Sequence, residues 1–213
     1  KLKSMSKKIY IIDYGFGNLA SVQNALEYLN FKCEIIKNPK KLKSATHIIL
    51  PGVGSFEAGI SALKESGWFE KIQFFASQKT YLLGICLGMQ LLFTKGTNEK
   101  NGKIIDGLGL INGNCEKFFN KKKNSLPLPH VGFSEVSNKN SKLWTNINSK
   151  TFFYFVHAYK VSNAKNVDTF NTTVYGEKFI SFIEKSNIFG AQFHPEKSQK
   201  AGLQLLKNFC NLK

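Results

Sequence analysis

The run Tyr81-Leu82-Leu83-Gly84-Ile85-Cys86-Leu87-Gly88-Met89-Gln90-Leu91-Leu92-Phe93 changes its periodicity in the middle. Up to Ile85 it is continuously apolar and of strand length. From Leu87 the apolar positions return at helical spacing. The pattern reads as a strand buried on both faces that runs directly into a helix, with a cysteine at the junction and a glycine two residues to either side. Strands buried on both faces belong to parallel sheets covered by helices.

Working outward, the same alternation fills the first half of the chain. Ile9–Asp13 read as a strand, and Leu19–Leu29 as a helix with Leu19, Val22, Leu26 and Leu29 on one face. Glu34–Lys37 and His47–Leu50 are strand candidates, and the second stops at Pro51-Gly52-Val53-Gly54. Helices are expected over Phe56–Glu65 and Ile72–Gln78. The second half has strand candidates with little helix between them: Cys115–Phe119, Val131–Val136, Thr151–His157, Thr172–Tyr175, Phe179–Glu184 and Phe189–Phe193. A helix over Lys200–Cys210 closes the chain. The expected fold is α/β, with a mostly parallel central sheet and an antiparallel extension of that sheet. Asn/Lys/Ser-rich stretches at 94–103, 120–125 and 137–150 read as surface loops, none of them a domain linker. Residues 8–213 are expected to form a single domain. Lys1–Ser4 precede the first methionine, Met5, and are set aside as a vector-derived remnant.

The chemistry centres on Cys86. A tight strand-to-helix turn lifts the junction side chain out of the sheet, and the flanking glycines keep its surroundings clear. The following helix directs its N-terminus at the sulfur, which favours a thiolate, and the Leu87 N–H is placed to donate to a developing oxyanion. A buried structural cysteine beside two packing glycines is the competing reading. Phe193-His194-Pro195-Glu196 supplies what a thiolate needs. On an extended path, residues two apart point the same way, so Glu196 can hold the His194 ring as the third member of a triad. Pro51-Gly52-Val53-Gly54 offers main-chain N–H groups for a second oxyanion donor. Gly15-Phe16-Gly17 lacks the third glycine of a dinucleotide fingerprint, because Ala20 stands there.

Together, Gly84-Ile85-Cys86-Leu87-Gly88-Met89-Gln90, His194-Pro195-Glu196 and Pro51-Gly52-Val53-Gly54 resemble the class I, triad-type glutamine amidotransferases. Four further segments, Asp13–Asn18, Gly107–Ile111, Tyr154–Tyr159 and Gln192–Ser198, resemble the branch that provides glutaminase subunits to imidazole glycerol phosphate synthases. The resemblance runs from about Lys8 to the C-terminus. It implies a flavodoxin-like three-layer sandwich and hydrolysis of L-glutamine to glutamate and ammonia. Cys86 would attack the side-chain amide, His194 would carry the proton to the leaving ammonia, and Glu196 would orient the ring. Gly54 and Leu87 resemble the oxyanion-hole donors, Gly52 and Gln90 the positions that hold glutamine, and the main chain at His157 and Ala158 the part that receives its α-carboxylate. Glu99 resembles a ligand of the α-amino group. The implied partner is a (β/α)8-barrel cyclase subunit that uses the ammonia in histidine biosynthesis. No cofactor or metal is implied. The Pro51–Gly54 segment is expected to be misplaced until the partner binds.

Two departures bear on the pathway. Gly132-Phe133-Ser134 follows Pro129-His130 where the histidine branch usually has Gly-Trp-Asn, and Ala158 replaces a usual serine. They keep open a subunit that supplies ammonia for surface-saccharide synthesis. A stand-alone cysteine γ-glutamyl hydrolase is a third reading.

The bulk properties exclude other classes. The chain has 213 residues and a formal charge of +16, but all 30 basic residues are lysine. Arginine, the preferred residue for bidentate base and phosphate contacts, is absent, and the lysines are scattered apart from Lys121–Lys123. Nucleic acid is therefore not the expected partner. No apolar run approaches the length of a membrane span, and the basic N-terminal stretch has no apolar secretory core behind it. A cytoplasmic location follows as the expectation. Cys33, Cys86, Cys115 and Cys210 form no CxxC pair, so neither a zinc site nor a dithiol is read from them.

Overall fold

A computed structural model describes residues 7–98, 101–118, 126–137 and 141–213. Lys1–Ser4, Glu99, Phe119, Lys121–Lys123 and the whole of the 120–125 stretch lie outside them. The strands are β1 (Ile9–Ile12), β2 (Cys33–Ile36), β3 (His47–Leu50), β4 (Tyr81–Ile85), β5 (Phe93–Thr97), β6 (Ile104–Asp106), β7 (Ile111–Lys117), β8 (His130–Ser137), β9 (Lys150–His157), β10 (Tyr159–Lys165), β11 (Thr169–Tyr175), β12 (Glu177–Lys185) and β13 (Ile188–Ala191). The α-helices are α1 (Leu19–Tyr28), α2 (Phe56–Ser66), α3 (Trp68–Ser77), α4 (Leu87–Leu91) and α5 (Gln199–Cys210).

The main sheet runs β2-β1-β3-β4-β13-β12-β10-β7-β5-β6, with β11 paired to β12. From β2 to β13 every pairing is parallel, and β12 and β10 then continue the sheet antiparallel. Side chains alternate between two apolar layers. Ile12, Ile48, Leu50 and Leu82 face α2, α3 and α4 on one side. Ile9, Ile11, Ile49, Leu83 and Ile85 face α1 and α5 on the other. Two local caps define the helix starts: the Asn18 side chain accepts from the Ser21 N–H, and the Ser55 side chain accepts from the Ala58 N–H. Each satisfies a donor that a helix start leaves open.

The expected mostly parallel sheet with an antiparallel part is present, with three differences. Leu92 ends α4, and Phe93–Thr97, expected as the end of a helix and a loop, is a strand parallel to β7. Its side chains pack beneath α2, where Phe56 meets Gly96. The strands β6 and β10 were not read from the sequence, because β6 is only three residues long and the lysines and asparagine of β10 leave no clear alternation. Finally, β8 and β9 do not extend the main sheet. They form a separate two-stranded sheet with Val131 opposite Val156 and Phe133 opposite Tyr154.

The turn between β4 and α4 is set by backbone packing against backbone. A Cβ built on Gly88 would lie 1.8 Å from the Leu50 carbonyl oxygen, and one on Gly84 would lie 2.6 Å from the Gly88 oxygen. A Cβ on Gly52 would lie 2.8 Å from the Gly88 nitrogen. These three glycines let the first turn of α4 press against the end of β3. Gly88→Ala is therefore expected to lower the urea-denaturation stability by at least about 3 kcal/mol, since rigid main chain cannot yield. Gly109→Ala, with open space around it but a φ of +69°, is expected to cost only about 1 kcal/mol.

Candidate active site

Cys86 occupies the junction with φ 54° and ψ −111°, a conformation that non-glycine residues rarely adopt. Its neighbours hold it there. The Cys86 N–H donates to the Ala191 carbonyl at 2.7 Å, and its own carbonyl accepts from the Gln90 N–H at 3.2 Å. The side chain is 5% exposed. The thiol donates to the Val156 carbonyl on β9 at 3.8 Å, and the Gln192 side-chain nitrogen donates to the sulfur at 3.7 Å.

His194 follows β13 and is 2% exposed. Its Nδ1 lies 2.8 Å from Glu196 Oε1, and the Glu196 side chain is itself 1% exposed. The path between them is not the extended one expected from the sequence: Pro195–Lys197 form a turn of 3-10 helix. Proline's fixed φ suits such a turn as well as a strand, and the turn still brings the carboxylate under the ring. His194 Nε2 makes no hydrogen bond within normal limits, but the Cys86 sulfur is the neighbour it faces. Burial disfavours the charged imidazolium. Interactions with the Cys86 sulfur and the Glu196 carboxylate outweigh it and raise the pKa from 6.5 to about 10. The pair is built so that His194 carries a proton at neutral pH.

The β8–β9 hairpin closes one side of the site. Besides the Val156 contact, the Tyr154 carbonyl accepts from the His194 N–H at 2.8 Å. The Ser198 hydroxyl donates to the His194 carbonyl at 2.6 Å and accepts from the Tyr154 N–H at 2.9 Å, which ties β9 to the histidine turn. Within the hairpin His157 and His130 are buried and face each other at 3.1 Å, Nε2 to Nδ1. Burial lowers their pKa values to about 3 and about 4, so both rings are neutral.

The remaining sequence-derived residues divide. Leu87 adjoins the sulfur, but its N–H is engaged, donating to the Gly52 carbonyl at 3.3 Å. Gly52 is buried in that contact, whereas Gly54 is exposed, with φ +110° and its Cα facing the Phe16 ring. Gln90 is 4% exposed. Both hydrogens of its side-chain nitrogen are committed, to the Tyr159 carbonyl at 3.1 Å and to Gln192 Oε1 at 3.0 Å. Any further contact from Gln90 must come from its oxygen. The Ala158 carbonyl accepts from the Phe118 N–H at 3.2 Å. Sequence reasoning missed Gln192, Ser198 and the Val156 carbonyl. Gln192 sits two residues before His194, between the apolar strand β13 and Phe193, and that lone amide in an apolar run was the available signal.

The sign of the His194 shift fixes a test. A folded-state pKa above the unfolded value gives a stabilisation that is complete below pH about 6.5 and is lost as pH rises through about 10. NMR titration should place His194 near the upper value in the wild type and clearly lower in Cys86→Ala and in Glu196→Gln. The stability difference between wild type and Cys86→Ala should shrink across the same window. An unchanged His194 titration in both variants contradicts the pairing.

The chain is similar to known proteins along nearly its whole length. The family described as glutamine amidotransferase class-I matches residues 10–212. The imidazole glycerol phosphate synthase subunit HisH 2 of Methanococcus maripaludis is 44% identical over 204 residues, which are 94% of this chain and 98% of that protein. The subunit HisH of Leptospira interrogans is 41% identical over 207 residues, covering 96% of this chain and 100% of its own length. Among solved structures, PurLQS from Thermotoga maritima superposes with a TM-score of 0.73 over 97% of this chain and 99% of that one, at 20% identity, a likeness of fold alone.

Proposed function

The chain belongs to the class-I glutamine amidotransferase family, and from that premise we propose that it is the glutaminase subunit of an imidazole glycerol phosphate synthase. It hydrolyses L-glutamine to glutamate and ammonia in the cytoplasm, and residues 8–213 act as one unit. The observation that carries the reading is the buried Cys86 sulfur facing a His194 ring that Glu196 holds at 2.8 Å. In the proposed cycle the Cys86 thiolate attacks the side-chain carbonyl carbon of glutamine. His194 gives its proton to the amide nitrogen as the carbon–nitrogen bond breaks, and ammonia leaves. Water then attacks the thioester with His194 as base, releasing glutamate. Gly52, Gln90 and the main chain at His157 and Ala158 are proposed to hold the substrate.

Leu87 and Gly54 are proposed as the oxyanion donors, and the resting arrangement of the first one supports activation by a partner. Its N–H is held by the Gly52 carbonyl, so the Pro51–Gly54 segment must shift before that donor is free. The proposed partner is a (β/α)8-barrel cyclase. It would dock on the outer face of the β8–β9 hairpin, where Val131, Phe133 and Phe152 are 56%, 47% and 55% exposed. This face lies directly over the strand that contacts Cys86. Contiguous exposed apolar surface of this kind marks association sites. Ammonia released there passes to the acceptor before water can protonate it. Ser134, where the histidine branch usually has asparagine, has work of its own, lying 2.9 Å from His130 Nε2.

The test is glutamate release by the purified chain with and without a cyclase subunit and its nucleotide ligand. Activity is expected to be weak alone, to rise at least about tenfold with the partner, and to fall to background in Cys86→Ala. Full activity without the partner contradicts the blocked-donor reading, and turnover that survives Cys86→Ala contradicts the site. Phe133→Asp should weaken cyclase binding and its stimulation together, leaving the activity of the isolated chain unchanged.

A further inference from the structure

We propose that Gln192 is a further catalytic residue of this site, the fixed N–H donor to the Cys86 sulfur, with its orientation imposed by the Tyr159 carbonyl. The inference deepens the glutaminase reading and rests on it for its role in turnover, though not for the contact itself.

One atom of this network, the Tyr159 carbonyl oxygen, can only accept. The Tyr159 carbonyl oxygen lies 2.7 Å from His157 Nδ1 and 3.1 Å from the Gln90 side-chain nitrogen. Its two lone pairs match two donors. His157 must therefore carry its hydrogen on Nδ1, and Gln90 must turn its NH2 group, not its oxygen, toward Tyr159. Each choice propagates. A neutral His157 protonated at Nδ1 offers a bare Nε2, so His130 Nδ1 donates to it, and the Ser134 hydroxyl donates to His130 Nε2 at 2.9 Å. On the other branch, the second hydrogen of Gln90 points at Gln192, 3.0 Å away, and only the oxygen of Gln192 can receive it. That places the NH2 group of Gln192 on the sulfur, 3.7 Å from Sγ. Reversing Gln192 would set its NH2 against that of Gln90 and its oxygen against the sulfur. Because Gln192 is 0% exposed, no bulk water competes for either end.

The contact matters most when the sulfur is charged. As a thiol, Cys86 donates to the Val156 carbonyl. As a thiolate it can only accept, and that carbonyl then faces it unfavourably. Gln192 donates in the ionised state, beside the proton held by His194. Hydrogen bonds to ionised groups in buried sites are stronger than neutral ones. Gln192 thus steadies the nucleophile before attack and receives it again when the thioester is hydrolysed. The same chain of bonds joins the sulfur to Gln90, proposed to hold the substrate.

The experiment is Gln192→Met, which keeps length and apolar bulk but removes the donor. Alkylation of the isolated chain by iodoacetamide, followed on the Cys86-containing peptide by mass spectrometry, should slow about tenfold or more, the loss expected for a hydrogen bond to a charged group. With the cyclase present, kcat should fall by a similar factor while KM for glutamine stays within about twofold. A purely structural role predicts an unchanged alkylation rate and kcat, and that result overturns the proposal. If the variant does not fold, the wild type and Cys86→Ala decide. The side-chain NH2 resonances of Gln192 should shift between them in 15N–1H spectra, and unshifted resonances overturn the contact. Alkylation needs neither glutamine nor partner. A wild type that alkylates normally but never turns over glutamine therefore sinks the glutaminase reading while leaving this contact to its own result.

Discussion

Everything in this site depends on main chain packed directly against main chain at the end of β3 and the start of α4. Side chains at 52, 84 or 88 would collide with the opposing backbone at 1.8–2.8 Å. Their absence lets α4 begin immediately after β4 and forces Cys86 into a conformation with positive φ. That conformation is over-determined by the hydrogen bond that the Cys86 N–H donates to the Ala191 carbonyl and the one that the Cys86 carbonyl accepts from the Gln90 N–H. The same close approach brings the Gly52 carbonyl onto the Leu87 N–H. One packing constraint thus fixes Cys86, the proposed nucleophile, and occupies the Leu87 N–H proposed as an oxyanion donor.

Around that junction the site is assembled from distant parts of the chain. β13 runs parallel to β4 and carries Gln192 and His194 to the sulfur, and the proline turn after it brings Glu196 under the ring. The separate β8–β9 sheet lies over them and contributes a carbonyl to the thiol and another to the His194 main chain. Because its outer face carries exposed apolar side chains, a protein bound there would press on the strand that touches Cys86. Neutral buried imidazoles inside the hairpin and a protonated one beside the sulfur show how environment alone sets opposite states for the same side chain.

The chain up to α4 was legible because β1, β3 and β4 are nearly unbroken apolar runs and its helices carry apolar stripes. Tyr81–Ile85 and His47–Leu50 read directly, since a strand buried on both faces leaves no other pattern. The chain beyond α4 was harder. β5 and β10 mix lysine, glycine or asparagine with single apolar residues, β6 is only three residues long, and β5 and β10 pair with β7 through contacts that the local sequence does not signal. The detachment of β8–β9 from the main sheet could not be read for the same reason. In the site, Cys86, His194 and Glu196 stood out as residue types in a demanding order. Gln192 did not, because an amide acquires meaning only when its donors and acceptors are traced to an atom that fixes them. The closed state of Leu87 is likewise a matter of distances between peptide groups.

The central claim is that Cys86 is the atom acylated in turnover. It is tested most directly by rapid acid quenching of the chain during glutamine hydrolysis with the cyclase present, followed by peptide mass spectrometry. The account predicts a γ-glutamyl adduct on the peptide containing Cys86, absent from Cys86→Ala and lost again once glutamine is exhausted. Steady turnover with an adduct on another residue would contradict it.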